Sequence, residues 1–589
     1  MIKYLKKLIW VVATCILVPS SYGQSYEQIR GWNILSDSYD DDMITINAAR
    51  SYNINHLQLS HDLVMDLQEI RDPDRQKLVN ELISKAHEAG IKEVVVWDHA
   101  LYNLKYYPGQ FKTGPDGTIN LDNTAFWDWF KQDYREMLKL VPAVDGLVLT
   151  FIETGARAEN QYSEKLGTGA EKLAAVVDAV ADVVCEELGK KLYIRTFAYT
   201  DAEYRNTIGC IQHIKCQEVI LMMKETPHDF FLTHPDDKYA GTINRPTIME
   251  FDCANEFNGQ GIIANTWPEY IIRRWSDLIK RPNVIGYVAR TDRYRDTRLV
   301  GTPNEVLLYA LKRYTEDQTV TADQINEEFI SAKYGRKAVR FLKPAFNMAY
   351  DIITSSLYTL GTNVANHSKL DYDPYKSSYG RHVSGKWLEP PVILVKHGVN
   401  REMHYWTDII EHIAPARFKA QDDALRTEAP QVLTNGWVIP VEKMDETFLK
   451  YIITEKKYGV EKAREALKWI VRAKRVMDEN QYSQLYNLFN RTLITSEMYE
   501  AVATAYFGYR VYTRGEEFRN PWLIKTVQEA LGKMLSLASQ IDNYREKVPR
   551  GQWNWRDDAE TAREYYKLIT ETGWKEYGNV IFNSSQTSK

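Results

Sequence analysis

The sequence predicts an α/β fold, a (β/α)₈ TIM barrel followed by an all-helical C-terminal domain. Three observations predict it. Eight short β-rich runs alternate with helical stretches from Ile29 to about Arg290, such runs nearly vanish after Thr302, and no glycine-rich fingerprint follows the first run. The alternation implies a parallel sheet, and the missing fingerprint leaves a dinucleotide-binding sheet without support.

The runs are Gly31 to Ser36, Ile54 to Ser60, Glu93 to Trp97, Gly146 to Ile152, Lys191 to Tyr199, Glu218 to Lys224, Thr247 to Phe251 and Val284 to Arg290. Between them, Asp74 to Ala89, Thr124 to Leu140, Gly169 to Leu188 and Pro268 to Ile279 repeat apolar residues at three- and four-residue spacing, the period of a helix with one buried face. Eight alternations in this length fit a closed barrel better than an open sheet.

Helical periodicity then continues alone, through Asn304 to Tyr314, Thr321 to Tyr334, Ala338 to Ser356, Glu402 to His412, Asp445 to Thr454, Val460 to Met477, Asn480 to Phe507 and Asn520 to Tyr544. Glu and Lys fall on the outer faces of these helices. The stretch Gly361 to Pro391, rich in Ser, Tyr, Asp, Gly and Pro, is expected to be a long loop that reaches back over the barrel mouth. The expected division is 1–23 signal peptide, 24–301 barrel and 302–589 helical domain.

The signal reading rests on Lys3, Lys6 and Lys7, the apolar stretch Leu8 to Val18, too short to span a bilayer, and the small residues of Ser20 to Gly23 before Gln24. Cys15 lies inside that stretch, not just after it, which argues against a lipid anchor. The protein is therefore expected to be exported, periplasmic or secreted, with no later membrane span. A net charge of -5, without a basic block interleaved with aromatics, argues against a nucleic-acid partner. The remaining cysteines, Cys185, Cys210, Cys216 and Cys253, have no CxxC spacing, so no zinc site is expected. Their spacing is compatible with a Cys210–Cys216 disulfide or, more simply, with buried free thiols.

Three of the apolar runs deliver acids just past their ends. Glu153 follows Gly146-Leu-Val-Leu-Thr-Phe-Ile152, Asp229 lies in Lys224-Glu-Thr-Pro-His-Asp-Phe230, and Glu256 lies in Glu250-Phe-Asp-Cys-Ala-Asn-Glu-Phe-Asn-Gly-Gln260. Barrel enzymes draw catalytic groups from the carboxyl ends of several strands, and an inverting glycosidase needs carboxyls roughly 6.5–9.5 Å apart to admit the attacking water. Phe151 and Ile152 would desolvate Glu153 and fit it to donate a proton; a rim carboxylate capping the next helix is the alternative. Glu250 and Asp252 suit structural ion pairs, Glu250 with Arg195 or Lys224. Arg195 and Lys224 interrupt otherwise apolar runs, so they either bind an anionic sugar group or neutralise the acids.

The blocks Arg195-Thr-Phe-Ala-Tyr199, Lys224 to Phe230 and Glu250 to Gln260 resemble, in order and internal spacing, those of the family 67 α-glucuronidases. Arg50-Ser-Tyr-Asn-Ile-Asn-His-Leu57 is similar to the approach to that family's early barrel strand. Glu305 to Tyr314, Thr321 to Phe329 and Tyr334-Gly335 are similar to the start of its helical domain. The resemblance implies an inverting, exo-acting α-glycosidase that needs no metal or organic cofactor. Glu153 would match the general acid, Asp229 and Glu256 the carboxylates that activate water, and Arg195 and Lys224 the uronic-acid pocket. The expected partner is an oligosaccharide bearing an acidic sugar, with a homodimer through the helical domain as a further expectation. The chain departs from the family at Ile152-Glu153-Thr-Gly-Ala156, where a Ser-Glu-Gly-Gln turn is usual, at the Asn and Phe flanking Glu256, and in lacking the β-rich domain expected before the barrel. Two alternatives stay open: the same machinery acting on a neutral or sulfated sugar, and an inactive carbohydrate-binding periplasmic protein.

Overall fold

The computed structural model describes residues 27–198, 201–226, 229–232, 236–359, 362–363, 365–370, 445–512, 514–567 and 569–570. The expected signal peptide and the helix expected over Glu402 to His412 lie outside them.

Eight parallel strands close on themselves in sequence order: β1 Ile29–Ile34, β2 His56–Leu59, β3 Glu93–His99, β4 Gly146–Thr150, β5 Lys191–Arg195, β6 Ile220–Lys224, β7 Thr247–Phe251 and β8 Val284–Arg290. Closure is made by β1 pairing with β8, Gly31 opposite Val288. Helices Tyr39–Ala49, Pro73–Glu88, Thr124–Leu140, Gly169–Ala181, Asp201–Cys210 and Pro268–Leu278 occupy the crossovers. Their starts are chemically marked. Asp72 caps the helix that opens on Pro73, Asn123 accepts from the Ala125 amide, and Thr168 with Glu171 forms a reciprocal capping box. Among the described residues no helix joins β6 to β7; residues 225–226, 229–232 and 236–246 run through turns and bends instead.

Inside the barrel, Val95, Trp97, Val148, Tyr193, Ile220, Met222, Ile248 and Val288 form one apolar cluster. The strand period of two carries each row one step further up: Trp97 to His99, Tyr193 to Arg195, Met222 to Lys224, Ile248 to Glu250 and Val288 to Arg290. The inward-facing rows of β5 to β8 thus turn from apolar to ionic at their carboxyl ends.

Beyond the barrel come helices Val306–Glu316, Ala322–Tyr334, Arg336–Phe346, Ala349–Ser356, Glu446–Ala473, Glu479–Tyr512, Pro521–Asp542 and Asp557–Lys567. Two short hairpins, Tyr358–Thr359 with Thr362–Asn363 and Ala365–Asn366 with Lys369–Leu370, stand where the long loop was expected. Among the described residues no helix is long and apolar enough to cross a membrane.

Cys185, Cys210, Cys216 and Cys253 are all free thiols, which corrects the Cys210–Cys216 disulfide considered above. Cys210 is instead fully buried, its thiol donating to the Thr207 carbonyl at 3.0 Å.

Candidate active site

The ionic layer at the mouth is organised around Glu250, which is fully buried. Arg195 Nε donates to its Oε2 at 2.7 Å and Arg290 Nε to its Oε1 at 2.9 Å. Burial alone would raise this carboxyl, but Arg195, Arg290 and Lys224 outweigh it and hold it below the ordinary range. The expected Glu250–Arg195 pair is present, with Arg290 as its second partner where Lys224 was the alternative.

Arg290 carries the network outward, donating from Nη1 to Glu256 Oε2 at 2.9 Å. Arg293 Nε lies 3.0 Å from the other Glu256 oxygen, and His367 Nδ1 lies 3.3 Å from it. Burial would raise Glu256, yet Arg293, His367 and Arg290 hold it well below the usual carboxylate range. Among the described residues Asp252 does not form the ion pair expected of it. Its Oδ2 accepts the Glu256 amide at 2.8 Å, so it fixes the backbone that presents Glu256. Burial, reinforced by the Glu256 charge, pushes the Asp252 carboxyl up to about 6.

Lys224, at the end of β6, donates to Asp229 Oδ1 at 2.8 Å, and both are buried. Its ammonium lies 3.4 Å from the Phe197 ring centre and 4.2 Å from that of Phe230. Burial brings Lys224 down to about 8 even with Asp229 beside it. Arg195 lies 4.9 Å from the rings of both Trp97 and Phe197, and Arg290 4.7 Å from Phe230. Aromatic faces thus pack against the cations and shield them from water.

Glu153 lies three residues beyond β4 with φ 61. It is exposed, whereas Phe151 and Ile152 are buried, so the desolvating enclosure expected from those neighbours is not formed. Its charge reaches His99, whose imidazole burial depresses to about 4. Positive φ recurs at the mouth: His61 after β2 (φ 51), Leu101 after β3 (φ 59) and Asn255 after β7 (φ 58). Strained loop residues of this kind concentrate at functional sites.

All five residues singled out from the sequence therefore sit at the carboxyl ends of β4 to β7 or in the loops beyond them. Arg290, Arg293 and His367 were not singled out. Arg290 ends an apolar run just as Arg195 and Lys224 do, and the same reasoning applied to β8 finds it. His367 had no local signal. It comes from the Ala365–Leu370 hairpin, where Ser368 Oγ donates to the Glu256 carbonyl and accepts from the Gly259 amide, at 2.9 and 2.8 Å. The described part of the expected long loop thus does reach the mouth. Among the described residues no group of three His, Cys, Asp or Glu is disposed to hold a metal ion.

No family model and no curated protein matches this chain. Solved structures do. A GH138 enzyme targeting pectin rhamnogalacturonan II is similar at TM-score 0.58 and 12% identity, over 92% of this chain and 66% of its own. A Thermobaculum terrenum O-GlcNAc hydrolase mutant is similar at TM-score 0.44 and 11% identity, over 92% of this chain and 94% of its own. A family GH115 4-O-methyl-α-glucuronidase with specificity for decorated arabinogalactans is similar at 0.46 and 8%, over 94% and 63%. The first of these likenesses shows the fold, a (β/α)₈ barrel with a helical C-terminal region.

Proposed function

We propose that this chain is an exported, exo-acting, inverting α-glycosidase that removes an α-linked uronic acid from plant or algal oligosaccharides, as its resemblance to the family 67 α-glucuronidases implies. One observation carries the reading: Glu153, Asp229 and Glu256 stand on three loops of one mouth, around a buried layer of Arg195, Lys224, Glu250 and Arg290. The pectin rhamnogalacturonan II named for the GH138 neighbour is in keeping with such a substrate.

In this reading Glu153 protonates the leaving oxygen; its exposure lets solvent reload the proton between turnovers. Asp229 and Glu256 act on the water at the opposite face. Their surroundings divide the work. Glu256, clamped by two guanidiniums, is a weak base that stays ionised, so it orients the water and stabilises positive charge on the sugar ring. Asp229, paired with the Lys224 ammonium, takes the proton. Arg195, which gives Nε and Nη2 to Glu250, acts mainly through its field, and Lys224 completes the uronate pocket.

That same neutralisation favours a second reading. With Arg195 paired to Glu250 and Lys224 to Asp229, the pocket is less cationic than its sequence suggested, which suits a neutral sugar, while a sulfated one would call on the same cations as a uronate. The test is hydrolysis of matched α-uronide, methyl-ester, neutral and sulfated oligosaccharides, followed by NMR at early times. Release of a β-configured uronic acid, with little from its ester, is expected. Turnover of neutral or sulfated sugars alone would select the second reading, and no release from any of them would leave an inactive binding protein.

A further inference from the structure

We propose that the cleft between the barrel mouth and residues 550–552 is a second sugar subsite, continuous with the catalytic centre, in which Arg550 reads an acidic group on the bound residue. The inference rests on the glycosidase reading above and deepens it.

The cleft has a volume of about 920 Å³, within the range of pockets that enclose small ligands. Arg293 joins it to the catalytic centre, since the guanidinium that lines the cleft also lies 3.0 Å from Glu256. Tyr102 and Tyr294 supply ring surface of the kind that packs on sugar faces.

The charged groups of the cleft differ in how far they are committed. Arg295 pairs with Asp37 at 2.6 Å, Arg75 donates to the Asp62 carbonyl and, at 2.9 Å, to that of Leu63, and Arg293 is held by Glu256. Glu69 accepts the Met65 amide at 3.2 Å. Arg550 is exposed and makes no ion pair or side-chain hydrogen bond among the described residues. Asp62 is the carboxylate left for sugar hydroxyls; burial raises it, against the pull of Arg293 and Arg295. A guanidinium without a partner at the lip of a cleft, facing hydroxyl acceptors and ring faces, fits a sugar carboxylate.

The position of Arg550 is fixed by its neighbours. Tyr294 Oη donates to Gln552 Oε1, and the Trp553 amide donates to Gln260 Oε1 at 3.0 Å. A Cβ on residue 551 would meet that same Gln260 oxygen at 2.4 Å, so a larger residue there would push the Gln260 amide off its partners. Gln260 belongs to the loop that carries Glu256 and donates to the Glu256 carbonyl at 3.1 Å. The helical region is therefore seated directly on the catalytic loop.

The test is calorimetric titration of the full chain with a tetrasaccharide of α-linked uronic acids whose glycosidic oxygens are replaced by sulfur, so that it resists hydrolysis, and with its methyl ester. Arg550→Ala should weaken the acidic probe about tenfold, the worth of one charge-assisted hydrogen bond, and leave the ester unchanged. Arg550→Lys should recover part of the loss. Gly551→Val, which displaces the segment, should weaken both probes. Equal affinity of wild type and Arg550→Ala for the acidic probe, equal loss on both probes with Arg550→Ala, or no binding to wild type would each overturn the subsite. Binding is read without turnover, so the two claims fail separately. A wild type that binds the acid through Arg550 but hydrolyses nothing sinks the hydrolase reading alone.

Discussion

The two ends of the barrel are both polar and use that polarity in opposite ways. At the N-terminal end, Glu93 accepts from Tyr193 Oη at 2.6 Å and lies 3.0 Å from His56 Nδ1. His56 Nε2 lies 3.0 Å from Gln58 Nε2, and Gln58 Oε1 accepts from Trp97 Nε1 at 2.9 Å. Each member of that chain meets a partner, and Glu93 ends it at the edge of the lower cavity. At the C-terminal end the network runs from Glu250 through Arg290 to Glu256 and on into loops with left-handed backbone. There Asp252 Oδ1 is buried without a hydrogen-bond partner among the described residues, and a hairpin and a strap from the helical region arrive. Cavities lie at both ends, about 490 Å³ below and about 920 Å³ above. The lesson is that polarity at a barrel end marks function only where it stays incompletely satisfied; a closed network contributes stability.

Breaking each end should separate the two roles. The largest effect belongs to turnover: Glu153→Gln or Glu256→Gln should lower kcat by roughly 10²–10⁴, measured in steady state on an α-uronide, while Glu93→Gln should leave kcat nearly unchanged. Stability shows the next contrast. Glu250→Ala strands two buried guanidiniums and should cost about 3–5 kcal/mol in denaturant unfolding, against about 1 kcal/mol for Tyr193→Phe at the other end.

The pH profile sharpens the comparison. Lys224 loses its proton near pH 8, and Asp229 then loses its counter-ion. Activity should therefore fall on the alkaline side near pH 8, and Lys224→Arg should move that limb upward, as a kcat/KM profile would show. For Glu256 the folded carboxyl lies below its ordinary value of 4.5. Its ion pairs stabilise the fold fully above that value and are lost as the pH falls through the folded pKa. Acid unfolding of Glu256→Gln should accordingly be shallower than that of wild type. Smallest of all, His367→Ala should lower kcat/KM by about threefold, since a single contact to a carboxylate already held by two guanidiniums nets about 1 kcal/mol or less.

Most of the fold was legible because barrel strands are short apolar runs and the helices between them keep a strict apolar period. The misreadings have local causes. The fourth and fifth strands end at Thr150 and Arg195, before the apolar residues that follow, because Phe151, Ile152 and Phe197 are buried as loop residues. The helix expected over Ala338 to Ser356 is two, parted at Asn347 and Met348. Conversely, the helices expected on either side of Gly459 are one, Glu446–Ala473. That glycine is a point of close packing, where a Cβ would lie 2.9 Å from the Cβ of Ser355. At the site, the acids were legible as carboxyls just past apolar runs. The cations that tune them were half legible: Arg290 obeys the rule that picked out Arg195, whereas His367 arrives on a hairpin far along the chain, which no local pattern announces.

The most direct test of the central claim, that Glu153 delivers a proton across this mouth, is a leaving-group series. Wild type and Glu153→Gln would be assayed on α-uronides whose leaving groups range from an activated phenol to a sugar. The account predicts that the variant keeps much of its rate on the phenol and loses nearly all of it on the sugar, with binding of both retained. An equal loss across the series, or none, would contradict it and return Glu153 to the rim as a structural carboxylate.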